Sequence, residues 1–301
     1  MYDRGTLILK VAENGNDLIE KIQSAMGKFG SLEVIATDTA FVEEGAHMGG
    51  PDVRWVKPPK VLLVVNRPTN YSSGHTWYLF DQILKYPSTR INGRSFSSVR
   101  LSEFNTIVLP DGWYSSSNGF SESTAKELQD WVRDGGTLIT LRGATAWATE
   151  EKIGLLKNSS LKRKVEAPKK KDDDEKDAKP EKVSPDSSPG VFLRAQVFQD
   201  HFVSFGFESE LDVFFAGNII LSPTVETGGR SIVSFGQREG LVTSGFCWPK
   251  TLDLLAETPF VVHRSMGRGH IIAFTDDPNF RSMYPALQRL FINAAMFGAG
   301  H

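Results

Sequence analysis

The sequence has one cysteine in 301 residues, Cys247, so no disulfide can form within the chain. That lone thiol leaves the redox compartment open. There is no apolar run near the ~20 residues that a membrane-spanning helix needs. There is no excess of charge of either sign: 34 Lys and Arg face 36 Asp and Glu, for a net charge of −2. A global pull toward nucleic acid or an anionic membrane is thereby excluded. Met1-Tyr2-Asp3-Arg4-Gly5 opens without an apolar core of a signal peptide, and no internal repeat is visible. What remains is an ordinary globular composition, 40% hydrophobic and 23% charged, long enough for one large or two modest domains.

The stretch Gly135-Gly136-Thr137-Leu138-Ile139-Thr140-Leu141-Arg142-Gly143-Ala144-Thr145-Ala146-Trp147 organises the rest. Thr137 to Leu141 is β-branched and apolar without polar alternation, which suits a strand covered on both faces. Gly143 permits a sharp bend into a helix expected over residues 144–156. Similar buried strands are read at Lys60–Asn66 and Thr106–Leu109, with helices over His75–Tyr86 and Ser121–Asp134, the latter capped by Ser121. Alternating strands and helices over residues 60–156 predict a doubly wound, mostly parallel α/β sheet. Residues 1–55 are read as a small β-α-β segment with a linking loop: strands at Thr6–Val11 and Leu32–Ala36 flank a helix with Leu18, Ile19, Ile22, Ala25, Met26 and Phe29 on one face. Residues 56–301 form the main domain.

Residues 157–189 carry Lys-Lys-Lys-Asp-Asp-Asp-Glu-Lys-Asp and four prolines. They are read as an exposed, mobile charged insertion, because so little apolar surface cannot offset the entropy of ordering. Beyond it, Val191–His201 reads as a short helix. Phe214–Ser222, Arg230–Phe235 and Gly240–Phe246 read as strands. Pro259–Arg264 and His270–Thr275 read as a hairpin, and Tyr284–Phe297 as a closing helix. These strands are expected to add edge strands or a small extra layer.

In open α/β sheets ligands bind at the carboxyl ends of the strands. Asn66, Arg67 and Tyr71 follow the first main strand there, and Asp111, Trp113 and Tyr114 follow the second. Two aromatics beside a carboxylate suit a peptide or glycan. Arg142, at the bend, either anchors a carboxylate ligand or pairs with Asp111 or Asp276 to join strand ends. The bland readings are a buried Cys247, a packed or capping His75, a packed His263, and a turn with a helix cap at Asp276-Asp277-Pro278-Asn279-Phe280-Arg281.

Three segments together carry a resemblance. Phe41-Val-Glu-Glu-Gly followed by Pro-Pro-Lys-Val-Leu-Leu-Val, then Gly-Gly-Thr-Leu-Ile-Thr-Leu, then Gly-Arg-Gly-His-Ile-Ile-Ala-Phe-Thr-Asp-Asp-Pro-Asn-Phe-Arg, resemble in order and spacing the carboxy-terminal part of certain bacterial M14-type zinc carboxypeptidases. That part is a class I glutamine-amidotransferase-like domain, so the resemblance implies a flavodoxin-like fold. It also implies a periplasmic or extracellular parent protein whose zinc-bearing peptidase domain lies upstream and is the partner of this segment. Two departures are evident. Amidotransferases place cysteine in a Gly-x-Cys-x-Gly bend, and aligning Gly143 with its last glycine puts Leu141 at the nucleophile, where no attack is possible. The zinc motif His-x-x-Glu begins at none of His47, His75, His201, His263 or His270, so this segment is expected to bind no cofactor. By the same resemblance, Ser115-Ser116-Ser117 lie where amidotransferases have their oxyanion loop. The expectation is a non-catalytic accessory domain. The alternatives are a binding module for a small peptide or glycan ligand, and a hydrolase with an unrecognised serine nucleophile.

Overall fold

Leu18, Ile22 and Ala25 recur at helical spacing and form the half-buried face of α1 (Leu18–Lys28). This helix belongs to the smaller of two compact units into which the chain divides, Met1–Trp55 and Val56–His301. The computed structural model describes residues 5–29, 32–42, 44, 47–50, 53–165, 181–224 and 228–300. The expected β-α-β segment is corrected here to a helix alone. Residues 6–10 and 32–36 form no strand among the described residues. A strand needs both a partner and a face to bury, and no described residue of this unit is buried.

In the larger unit the chain runs β1 (Val61–Val65), α2 (Ser72–Tyr78), β2 (Ser88–Asn92), β3 (Thr106–Leu109), α3 (Glu122–Arg133), β4 (Thr137–Leu141) and α4 (Gly143–Ala148). It continues through β5 (Arg163–Val165), β6 (Glu181–Val183), β7 (Gly190–Val197), β8 (Glu210–Phe215), β9 (Gly229–Phe235), β10 (Val242–Phe246), α5 (Pro249–Leu255), β11 (Pro259–Met266), β12 (Gly269–Phe274) and α6 (Pro285–Phe297). The strands β2-β1-β3-β4-β12 lie side by side in parallel. That is the flavodoxin-like order, with its switch point between β1 and β3. From β12 the sheet turns antiparallel through β11, β9 and β7, with β8 and β10 both paired to β7.

The all-apolar strands divide their side chains between two cores. Leu63, Val108, Ile139, Ile272 and Phe274 meet Phe80 and the α6 stripe Leu287, Leu290, Phe291 and Ala294 on one face. Leu62, Val64, Ile107, Leu138 and Ile271 meet Ala125, Leu128 and Val132 of α3 and Trp147 of α4 on the other. The sheet is therefore sandwiched by helices, as a parallel sheet requires. Ser121 caps α3, its hydroxyl accepting the Thr124 N–H.

Several elements differ from the sequence reading. Residues 191–197, expected to be helical, form β7, where Val191, Leu193, Ala195 and Val197 face inward with a period of two. The helix after the bend ends at Ala148 instead of continuing to 156, and Gly154 turns the chain at φ +63° so that Leu155 and Leu156 still reach the core. Helix α2 starts at Ser72, three residues early, and continues as a π turn over Leu79–Ile83. The strand expected at 214–222 runs instead over Glu210–Phe215.

The flanks of the charged insertion are ordered. Leu161 N–H donates to Ile220 at 2.8 Å, buried Asn158 donates to the Ser222 carbonyl at 2.8 Å, and β5 pairs with β6. Arg163 pairs with Asp186 across the same flanks. The central part of the insertion, 166–180, lies outside the described residues.

Candidate functional site

Strand β4 ends at Leu141, and the next residue, Arg142, takes φ 46° and ψ −102° before α4 begins at Gly143. A non-glycine residue in this conformation stores roughly 1–3 kcal/mol of strain, and a strained strand-to-helix turn is the geometry that exposes a nucleophile in an elbow. The elbow position is therefore Arg142. Leu141, expected there from the glycine spacing, is fully buried in the core beneath the sheet end. The register of the expected motif shifts by one: the small residues two before and two after the elbow are Thr140 and Ala144.

Gly143 is the residue after the elbow, the one whose backbone N–H serves an oxyanion hole in elbow enzymes. Here that N–H donates to Asp111 Oδ1 at 2.9 Å. A Cβ on Gly143 would lie 2.1 Å from the Gly112 carbonyl oxygen, so the β3 loop sits directly on the bend. Asp111 Oδ2 accepts from Asn70 Nδ2 at 2.7 Å and stands 3.6 Å from Arg142 Nη1. Of the two readings of Arg142, the strand-end pairing with Asp111 is thus formed, though the guanidinium side chain keeps 30% of its exposure. The loops after β1 and β3 are zipped together by Asn70 N–H to the Asp111 carbonyl at 3.1 Å and Trp113 N–H to the Pro68 carbonyl at 3.0 Å.

A cavity of about 310 Å³ opens at this switch point, lined by residues that include Asn70, Tyr71, His75, Asp111, Arg142, Asp277 and Arg281. His75 of α2 and Asp277, after β12, come together across 202 positions of sequence, with Nδ1 and Oδ2 3.0 Å apart. Asp277 Oδ1 is fixed by the Asn279 N–H at 2.9 Å. The His75 ring also meets Phe280 edge-on, at 5.7 Å between centroids. Arg281 holds a second strained conformation, φ 49°, and lies over the Phe280 ring.

Asp276 is 3% exposed, and its carboxylate accepts from the Ala216 and Asp277 N–H groups at 2.6 and 2.8 Å. Burial raises its pKa to about 6, against the lowering effect of Arg142 nearby. A carboxyl with a folded pKa above its unfolded value of 3.8 binds its proton more tightly in the folded protein. Stability from this group is then fully present below pH 3.8 and is lost as pH rises through 6. We expect the wild type to lose roughly 2 kcal/mol between pH 4 and pH 7 through this group. Asp276→Asn should lack that slope. Urea denaturation across this range checks it, and parallel pH profiles for the two proteins would refute it.

The sequence candidates fall into three groups. Tyr71, Asp111 and Arg142 line the cavity. Asn66, Arg67 and Trp113 occupy the adjoining loops but are not among its lining residues; Trp113 is 83% exposed. Tyr114, expected as a ligand contact, is instead a core residue at 7% exposure, its hydroxyl donating to the Pro110 carbonyl at 2.8 Å. Burial and then the charge of Asp111 push its phenol well above the usual range. The sequence reading sets His75 and Asp277 aside as structural, and it misses Asn70. The signal available is the position of Asn70 and Asp277 in the loops after β1 and β12; His75, inside α2, carries none.

Ser115 and Ser117 bond each other, at 2.9 Å, and neither lines the cavity that holds His75. Cys247 is buried, and burial pushes its thiol above the ordinary range. His263 packs against His270, with ring nitrogens 2.8 Å apart. Among the described residues no group of three or more His, Cys, Asp or Glu is placed to hold a metal ion, and no helix is long and apolar enough to cross a membrane.

No protein-family model matches the chain, and no curated protein matches it either. Solved structures do. A ThuA-like protein from Parabacteroides merdae superposes with a TM-score of 0.52 at 14% identity, over 81% of this chain and 90% of its own. A ThuA-like protein from Bacteroides uniformis gives 0.50 at 12% identity, over 83% and 95%. A protein from Thermoplasma acidophilum described as part of a GMP synthase gives 0.50 at 12% identity, over 80% and 94%. At these identities the likeness is one of fold. The chain has the α/β, mostly parallel architecture of ThuA-like and class I glutamine-amidotransferase-like proteins.

Proposed function

We propose that this chain is a non-catalytic ligand-binding module on an amidotransferase-like scaffold. We further propose, from the sequence resemblance, that it is an accessory part of a secreted M14-type zinc metallocarboxypeptidase. One observation carries the first statement: an arginine stands at the strained bend, and the Gly143 N–H behind it is already taken by Asp111. Acyl transfer needs an attacking atom and a vacant donor for the developing oxyanion. Arg142 is no nucleophile and the Gly143 N–H is not vacant, whereas a guanidinium at the mouth of a cavity is a ready donor for a bound anion.

The expected result is that Arg142→Cys and Leu141→Cys both release no ammonia from glutamine above the buffer rate. A thiol at either position still lacks the oxyanion donor, and residue 141 is buried. Ammonia release by Arg142→Cys would overturn the non-catalytic reading. The accessory role is tested by the open reading frame upstream of Met1. A His-x-x-Glu zinc motif is expected there, and an independent start codon at Met1 would remove the parent peptidase, its zinc and its exported location together.

A further inference from the structure

At the cavity by the β1/β3 switch point both carboxylates are hydrogen-bonded, while the two guanidinium groups keep donors to spare. Both oxygens of Asp111 are taken, by Gly143 N–H and Asn70 Nδ2. Both oxygens of Asp277 are taken, by Asn279 N–H and His75 Nδ1. Asn70 Oδ1 accepts the Ser72 N–H at 2.9 Å. On the donor side, Arg142 reaches Asp111 only at 3.6 Å, beyond hydrogen-bonding distance, and Arg281 meets no carboxylate among the described residues. A guanidinium carries five N–H donors, and one that is ion-paired without a hydrogen bond at the edge of a cavity, as Arg142 is with Asp111, still has donors for an added acceptor.

Three further features narrow the acceptor. Arg142 and Arg281 face Asp111 and Asp277, with buried Asp276 also acting on Arg142, so the site carries no excess positive charge and favours a monoanion over a doubly charged phosphate. Phe280 and Tyr71 add an apolar wall, and Tyr71 is 87% exposed at the rim. In the uncharged tautomer that gives Nδ1–H to Asp277, His75 has Nε2 left to accept one ligand N–H or O–H. A cavity of about 310 Å³ is small enough that these contacts converge on a ligand of few atoms.

We propose that this cavity binds a small organic carboxylate whose α-carbon bears an N–H or O–H: Arg142 and Arg281 hold the carboxylate and His75 accepts from the α-substituent. The α-acylamino carboxylates, which include the last residue of a peptide, and the α-hydroxy carboxylates share this chemistry. The inference rests on the reading of the chain as a ligand-binding module and names the ligand class of that same site.

Calorimetric titration of the whole chain with benzoylglycine, benzoylglycinamide, lactate, inorganic phosphate and a neutral disaccharide tests it. Benzoylglycine is expected to bind at least tenfold more tightly than its amide and than phosphate, since a charge-assisted hydrogen bond is worth roughly a factor of ten or more. Lactate binding beside benzoylglycine would extend the site to α-hydroxy acids, and its absence would confine it to acylamino acids. Arg281→Gln, on an exposed side chain, should weaken benzoylglycine about tenfold with an unchanged melting temperature. His75→Gln should weaken benzoylglycine but not propionate, which lacks the α-donor. Equal affinity for benzoylglycine and its amide, tighter binding of phosphate, or indifference to Arg281→Gln would overturn the proposal. Disaccharide binding that is lost in Arg142→Gln, without carboxylate binding, would sink this inference and leave the ligand-binding reading standing. Silence across the whole panel would end both.

Discussion

Gly143→Ala is expected to destabilise the larger unit by about 3–5 kcal/mol, the largest effect of any single methyl added near the site. The new Cβ would stand 2.1 Å from the Gly112 carbonyl oxygen and 2.8 Å from Asp111 Oδ1. The first of these is a backbone atom, so no rotamer change relieves the contact. Gly112 cannot retreat either, because its own α-carbon faces the Pro68 carbonyl, 2.3 Å from where a Cβ would be. The β3 loop must lift as a whole, and the Gly143 N–H to Asp111 bond is lost with it. Gly74→Ala is the control. It lies inside α2 with nothing within 4 Å of its would-be Cβ, so it should stabilise by roughly 0.5–1 kcal/mol through helix propensity. Urea midpoints at constant m-value measure both. A Gly143→Ala protein within about 1 kcal/mol of wild type would mean that the two loops are not locked together.

That crowding explains which parts of the molecule could be read from the sequence. β1, β3 and β4 are apolar runs, and such runs admit one interpretation in an α/β chain, a strand buried on both faces; β12, read as an arm of an edge hairpin, lies instead in mid-sheet between β11 and β4. α3 and α6 announce themselves by a capping serine and by an apolar stripe. β7 does not: Val191 to Val197 mixes Phe192, Arg194 and Gln196 in a way compatible with either period, and only its pairing with three neighbours decides for a strand. β2 is missed because Ser88-Thr89-Arg90-Ile91-Asn92 is an edge strand with no buried residue. The strands expected near the amino terminus have strand-like residues but no sheet to join.

At the site the residues next to strand ends are legible, and the partners that arrive from elsewhere are not. Arg142 and Asp111 follow buried strands directly, so topology alone brings them together. His75 and Asp277 meet only because β12 lies on the far side of β4 and the chain after it turns back over the switch point toward α2. The glycine spacing misplaces the elbow by one residue for a physical reason. Glycine in a bend is the default bearer of positive φ, but Gly143 is needed for lack of space, and the strained dihedral falls on Arg142.

Asp111→Ala should separate stability from binding, with opposite signs. The carboxylate accepts from Gly143 N–H and Asn70 Nδ2, both with charge assistance, and it is mostly buried. Removing it leaves a backbone N–H facing a gap and unties the β1 loop from the bend. The expected cost is about 2–4 kcal/mol, read as a shift in urea midpoint. Asp111→Asn should lose roughly half as much, because its amide oxygen can still receive Gly143 while its NH₂ group faces the NH₂ of Asn70. Yet Asp111 is also the carboxylate that competes with any bound anion for Arg142, 3.6 Å away. Its removal should therefore tighten benzoylglycine binding several-fold in the same protein that unfolds more easily. Direct competition predicts this divergence, whereas a purely structural Asp111 that merely aims the guanidinium predicts that stability and affinity fall together. Titration of Asp111→Asn, which removes the charge and keeps most of the scaffold, decides between the two: tighter binding identifies Asp111 as the internal occupant of an anion site, and weaker binding identifies it as the support of Arg142.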